Sequence, residues 1–281
     1  MRPDGKRVKD ASAVVQALPY IMPKRYDAQN FITEYADMEI MRGYINQKRK
    51  EHINIPYMVL LIAAYFKAYQ ENPKVNRFIM NRKIYQRNHF CVSFVILKTR
   101  ADGTPDETTI KLYLEDGDDI FSINEKFQAL VEKNQTPEVN NNTDKFVNFM
   151  FSLPLLPRLV IGLANILDQW GLLPRFIIDL SPFHTSLFIT NLASINTSNI
   201  YHHCYEFGTT SLFISMGKPV ANFMEGKFDK KLIPLSVVMD ERVCTGHEFA
   251  VFWKSLRRYL RHPEMLEGNA KTEPEKEETL V

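Results

Sequence analysis

The stretch KLIPLSVVMDERVCTGHEFAVFWKSLRRYL, Lys231–Leu260, decides the fold. Its first part reads as a strand: Leu232, Leu235, Val237, Val238 and Met239 are apolar and partly β-branched, and the run stops at Asp240-Glu241-Arg242. Its last part reads as an amphipathic helix, because Phe249, Phe252, Trp253, Leu256 and Leu260 recur at spacings of three and four. Between them, Thr245-Gly246-His247-Glu248 has the T-x-x-E form of a capping box. In such a box the Thr hydroxyl accepts from the amide three residues on, and the Glu reaches back. A charged loop held between a buried strand and a capped helix is a rigid mount for chemistry.

Upstream, Phe31–Asp37 alternates apolar and polar residues as a half-buried strand does, and Met38–Lys50 reads as a helix. The Lys48-Arg49-Lys50 cluster closes that helix where the macrodipole favours cations. A second helix is expected from Asn54-Ile55-Pro56, with Pro in its first turn, to about Gln70, where Asn72-Pro73 stops it. Phe78–Met80 and Lys83–Tyr85 flank Asn81-Arg82 as a hairpin. Phe90–Leu97 and Thr108–Leu114 read as strands around the turn at 101–105, and Ile120–Lys133 as a helix. Residues 138–145 read as a surface loop. Residues 1–20 are expected to be a loosely ordered basic lead, 21–267 a single domain, and 268–281 a disordered charged tail.

The chain of 281 residues is 45% hydrophobic, enough for a substantial core, and its net charge of +2 offers no basis for a nucleic-acid partner. Cys91, Cys204 and Cys244 are scattered and form no C-x-x-C pair, which points to a reducing, cytoplasmic setting without disulfides or a metal framework. The first residues, MRPDGKRVKDAS, carry no apolar signal core. Phe146–Leu180 is rich in Leu, Ile and Phe but is broken by Pro154, Pro157, Arg158, Asp168, Pro174 and Arg175. The run between Arg158 and Asp168 is shorter than the ~20 apolar residues a bilayer needs. Two readings stand: a buried helical hairpin, and contact with a membrane interface through 146–180.

The Lys231–Leu260 stretch, taken with the strand near Leu187–Leu192, resembles the catalytic domain shared by chloramphenicol acetyltransferase and the E2 acyltransferases of 2-oxo acid dehydrogenase complexes. That family places H-x-x-x-D-G between a strand and a helix. Here Glu241-Arg242-Val243-Cys244-Thr245-Gly246 occupies the frame. The Arg, the apolar residue and the Gly agree, while Glu241 stands where the family has its catalytic His and Thr245 where it has Asp. Leu187–Leu192, LFITNL, resembles the family's F-T-I-S-N-L-G, with Thr190 at the hydroxyl position and Asn191-Leu192 matching directly. Phe213–Lys218 resembles its A-I-L-G-V-G strand, and the strand, helix, turn, helix order of the first part also agrees. The resemblance runs from about residue 25, and the apolar segment 146–180 departs from it.

The resemblance implies an α/β fold, a two-layer sandwich with a mixed sheet and helices packed on one face. It also implies a homotrimer whose sites are each built from two subunits, and acyl-CoA as donor to a small thiol, hydroxyl or amine acceptor. Coenzyme A is then a co-substrate, with no covalently bound cofactor. Carried over residue by residue, Thr190 donates to the oxyanion, Glu241 is the general base, and Thr245 and Gly246 shape the loop. A carboxylate with a reference pKa of ~4.3 is a weaker base than an imidazole at ~6.5, so Glu241 serves only if its surroundings raise it. Otherwise it is an ion-pair partner of Arg242 or a lysine, and the chain is a catalytically inactive relative that binds coenzyme A or acts as a trimeric scaffold.

His202 and His203 lie between the Thr190 strand and the Gly217 strand, which makes either one a substitute base. As neighbours in an extended segment they face opposite ways and do not ligate one metal together. His184, Asn191 and Arg242 are candidate substrate contacts, with a strand-edge histidine as the plainer reading of His184. Cys244 and His247, three apart, lack a group to orient the histidine as a nucleophile's base. Gly217-Lys218-Pro219 lacks the glycine pattern of a phosphate loop.

Overall fold

A computed structural model describes residues 2–99, 103–135, 156–224 and 227–268. The chain begins with β1 (Gly5–Arg7), α1 (Ala13–Ile21), β2 (Gln29–Asp37), α2 (Met38–Lys50) and α3 (Tyr57–Glu71). A hairpin of β3 (Arg77–Met80) and β4 (Lys83–Arg87) follows, then β5 (Phe90–Thr99), β6 (Pro105–Leu114) and α4 (Ile120–Gln135). The remainder is α5 (Leu156–Gln169), α6 (Arg175–Leu180), β7 (Leu187–Asn191), β8 (Leu212–Met216), β9 (Val220–Met224), β10 (Lys227–Asp240) and α7 (Gly246–Arg261).

The main sheet runs β2-β10-β8-β7-β5-β6, with β9 paired to β10 off that path. β10 is antiparallel to β2 and β8, whereas β7 is parallel to both β5 and β8, so the sheet is mixed. Alternation sorts its residues between two faces. Leu187, Ile189, Leu212, Ile214, Val237 and Met239 join the core formed with the helices, and α3 packs against α7 and α4. Phe188, Phe213 and Val238 point the other way, into a small cluster with Cys204. The sandwich with helices on one face is therefore as the resemblance implies. The hairpin turn at Asn81 and Arg82, with φ of 47° and 56°, also matches its expectation. The second helix starts one residue later than expected, with Pro56 as its N-cap.

Two expectations are corrected, and one hairpin is added. The N-terminal lead is ordered: β1 joins β4 and β3 in a separate three-stranded sheet, and Arg2 and Asp4 are buried. Its charge pattern conceals this because those charges neutralise one another, Arg2 pairing with Asp4 at 2.8 Å and Asp168 at 2.6 Å. The described part of the apolar hairpin is buried only in places: Leu173 and Ile178 turn inward, but Leu159, Leu163, Ile166, Trp170, Leu172 and Phe176 are exposed, and it is Asp168 that α5 sends into the body of the protein. An amphipathic pattern gives a helix two faces without saying which turns inward, and here the ion pair with Arg2 turns the polar side in. β9, VANFM, and the first third of β10, KFDKK, were not anticipated: the lysines and aspartate conceal the second, and the first is a short run without alternation. The expected loop at 138–145 and most of the expected tail lie outside the described residues.

Candidate functional site

Register lines up four hydroxyls across neighbouring strands: Thr33 opposite Ser236, Ser236 opposite Ser215, and Ser215 opposite Thr190. All four share the face of Phe188, Phe213 and Val238, away from the helices. The segment from Leu192 to Tyr205 returns across that face as a strap. It turns at Asn196, in the left-handed region at φ 54°. Asn199 Nδ2 donates to Ser236 Oγ at 2.6 Å, the Ile200 amide to Ser215 Oγ at 3.4 Å, and Tyr201 Oη meets Thr33 Oγ1 at 2.5 Å. Gly217 permits this approach, since a Cβ there would collide with the backbone of Asn199.

The strap takes three of the four hydroxyls and leaves the last. Among the described residues, Thr190 Oγ1 is buried without a partner, and so are Asn191 Oδ1 and His202 Nδ1. His202 stacks on Phe213, with ring centres 4.2 Å apart and planes at 13°, and Phe213 stacks on Phe188 at 4.8 Å. Burial, and then the neighbouring His203, push the His202 pKa below the usual histidine value and favour the neutral ring. His203 is exposed and faces Tyr205 edge-on. Thr190 Oγ1 and His202 Nδ1 lie on the same face, and each can still bond a group brought there, whereas alternation turns the Asn191 side chain toward the helix side with Ile189 and Met216.

Glu241 lies elsewhere. It follows β10 five residues beyond Ser236, about 16 Å along the strand at ~3.3 Å per residue. Its carboxylate accepts from Asn30 Nδ2 at 2.7 Å and opens on a cavity of about 400 Å³ on the helix side, lined by Leu18, Ile32, Met239, Phe249 and Trp253. Thr190 and Glu241 of one chain therefore sit at opposite ends and on opposite faces of the sheet. Glu241 does not pair with Arg242. That guanidinium is buried, bidentate to Asp240 at 2.8 and 2.7 Å, and bonded to the Met22 carbonyl, so Arg242 braces the loop and is not free to hold substrate. Thr245 caps α7, accepting from the Glu248 amide at 3.2 Å and donating its own amide to the Glu248 carboxylate at 2.9 Å. Gly246, the first residue of α7, has open space around it. Burial pushes the Cys244 thiol up to about 12, which removes it as a nucleophile at neutral pH.

His184 faces no channel. It is fully buried, with Nδ1 2.8 Å from Ser181 Oγ and Nε2 3.1 Å from Asp168 Oδ2. Burial drives its pKa down more than the Asp168 carboxylate raises it. Burial works to raise Asp168 as well, but His184 and Arg2 outweigh it and hold that carboxyl low. This chain of Asp4, Arg2, Asp168 and His184 ties the N-terminus to α5 and to the start of β7. Sequence reasoning missed it because its members are far apart along the chain. No cluster of three or more His, Cys, Asp or Glu able to hold a metal occurs among the described residues.

No family model matches the sequence, and no curated protein matches it significantly. Solved structures do. A probable dihydrolipoamide acetyltransferase from Listeria monocytogenes 4b F2365 aligns with a TM-score of 0.56 at 13% identity, covering 95% of this chain and 98% of that one. Chloramphenicol acetyltransferase aligns at 0.55 and 12%, covering 91% and 99%. The fold is that of these acyltransferase cores. The Azotobacter vinelandii dihydrolipoamide acetyltransferase, in which a serine, a histidine and an asparagine have been examined for their catalytic roles, aligns at 0.56 and 13%, covering 92% and 93%. The family resemblance of the β10–α7 stretch and of β7 is thus matched at the level of architecture over nearly the whole chain.

Proposed function

We propose that the protein transfers an acyl group from acyl-CoA to a small thiol, hydroxyl or amine acceptor, on the strap-covered face of the sheet. The observation that carries this reading is the unpartnered, buried Thr190 hydroxyl at the end of β7, with His202 Nδ1 also unpartnered on the same face of the sheet. A hydroxyl donor fixed before reaction suits the oxyanion of a tetrahedral acyl-transfer intermediate. His202 is the base: it is neutral, shares the face of Thr190, and is held by Phe213. It takes the acceptor's proton as the acceptor attacks the thioester carbonyl, and returns it to the departing thiolate of coenzyme A. A hydroxyl, an imidazole and an amide are also the chemistries examined in the Azotobacter enzyme.

Glu241 reaches a Thr190 only in a neighbouring copy, the arrangement that the family resemblance implies for a homotrimer. A second reading, coenzyme A binding without turnover, is favoured by the Asn30 amide that already occupies the Glu241 carboxylate. Calorimetric titration of coenzyme A and acetyl-CoA, followed by coenzyme A release with pooled thiol, alcohol and amine acceptors, separates the readings. Turnover is expected, with Thr190→Ala lowering it ~10²–10³-fold and His202→Gln ~10²–10⁴-fold. Loss in Glu241→Gln with His202→Gln unaffected moves the base to the neighbouring copy. Binding without release leaves the second reading, and no binding removes both.

A further inference from the structure

Helix α5 presents its apolar side to solvent. At ~100° per residue, Leu159, Leu163, Ile166 and Trp170 form one stripe roughly opposite Asp168, the residue that enters the body of the protein. The exposures of the four run from 56% to 70%, and Leu172 and Phe176 continue the patch at 67% and 68%. A third side carries Arg158, Asn165 and Gln169 and borders a groove shared with Lys24 and Arg82. The Arg82 guanidinium lies 5.9 Å over the exposed ring of Tyr20, which extends the surface onto α1.

We propose that this face docks on an anionic lipid surface. The charges bordering it have one dominant sign. Lys24, Arg82 and Arg158 are exposed, Arg175 is neutralised by Asp179 at 2.8 Å, and Glu206, the single carboxylate among the described lining of the groove, accepts from the Tyr26 amide and sets one negative charge against those three positive ones. Apolar side chains rimmed by cations suit the boundary between acyl chains and acidic headgroups. Trp170, in the turn that ends α5, is the residue type that settles at that depth. The helix has 14 residues, about 21 Å, which is short of a hydrocarbon core, so it lies in the plane of the surface. The ties from Asp168 to Arg2 and His184 fix the helix from behind and leave the apolar stripe outward. This surface is separate from the strap-covered face and does not depend on the activity proposed for it.

The test is flotation of the full chain with vesicles of phosphatidylcholine plus phosphatidylserine and with vesicles of phosphatidylcholine alone. The chain is expected to float with the acidic vesicles, less with the neutral ones, and less as salt is raised. Trp253 is 4% exposed, so a blue shift of emission on binding reports Trp170, and Trp170→Phe is expected to float without that shift. The double variant Leu163→Glu, Ile166→Glu changes exposed positions and is expected to keep its melting transition while losing vesicle affinity ~tenfold or more. No flotation, equal flotation of the double variant, or no response to lipid charge overturns the proposal. A fall in oligomer mass in the double variant also overturns it, because the face would then belong to a second copy. Free Trp170 is expected to be quenched readily by acrylamide, and shielding would mean that the chain itself covers the helix.

Discussion

Single residues carry the balance between stability and chemistry here, and the histidines show it through pH. Burial, then the Arg87 and Arg175 charges, push His89 from 6.5 down to about 3, and burial pushes His184 down as well. Both rings are therefore neutral in the fold where the unfolded chain would protonate them. A group whose folded pKa is depressed contributes stability that is complete above its unfolded value and is lost as pH falls toward the folded one. The loss is expected to begin below pH 6.5 and to continue toward about 3 for His89, at up to ~1.4 kcal/mol per pH unit for each site. Asp4 and Asp168, also held low, act only below about 3.8. Denaturant midpoints measured from pH 7 to pH 4 are expected to fall in the native protein and to fall less in His89→Gln. An unchanged slope would mean that the ring is solvated. At this scale the sequence was legible in part. The LFITNL pattern placed Thr190 on a strand, as found, whereas the surroundings of His184 and Arg242 depended on partners such as Asp168 and Asp240. The Arg242 partner was only two residues away, but a strand ending in Asp-Glu-Arg does not say which carboxylate the arginine will fold back on.

Elements were more legible because local rules set them. The T-x-x-E spacing fixed the start of α7, and both halves of the capping box are present at 2.9 and 3.2 Å. Thr245→Ala removes one acceptor for a helix-end amide at an exposed position, so a loss of ~1 kcal/mol is expected in equilibrium urea unfolding, with Thr245→Ser near neutral. A loss several times larger would mean that Thr245 holds the loop itself and does more than cap the helix. The alternation of Phe31–Asp37 and the apolar runs of β5 and β10 were equally plain. β1 was hidden, because a three-residue strand with Gly5 beneath Phe78 pairs through its backbone and needs no apolar pattern. The strap was hidden for a similar reason: Asn199, Ile200 and Tyr201 are placed by hydroxyls on strands that meet only in the folded sheet.

For the whole molecule, the sheet leaves a strip of apolar surface beside the proposed site. β2 is one of the sheet's two edge strands, and on the face away from the helices its Phe31 and Tyr35 are 54% and 53% exposed, next to Tyr201 and Ile200 of the strap. Phe31 meets Tyr201 edge-on at 5.7 Å, so the strip is ordered and continuous with the strap that covers Thr190. Large aromatics grouped on one exposed face are the usual anchors of an interface. A second copy seated there would wall the open side of the site, and its loop would supply the Glu241 that its neighbour lacks on this face. The expected mass by light scattering is that of three chains, as the family resemblance implies. Phe31→Asp with Tyr35→Asp is expected to give single chains and to abolish coenzyme A release, since both changes sit on surface that the isolated chain already solvates. A native protein of single-chain mass that still turns over would place the whole reaction on one sheet face, with His202 as its base and Glu241 confined to the bond with Asn30.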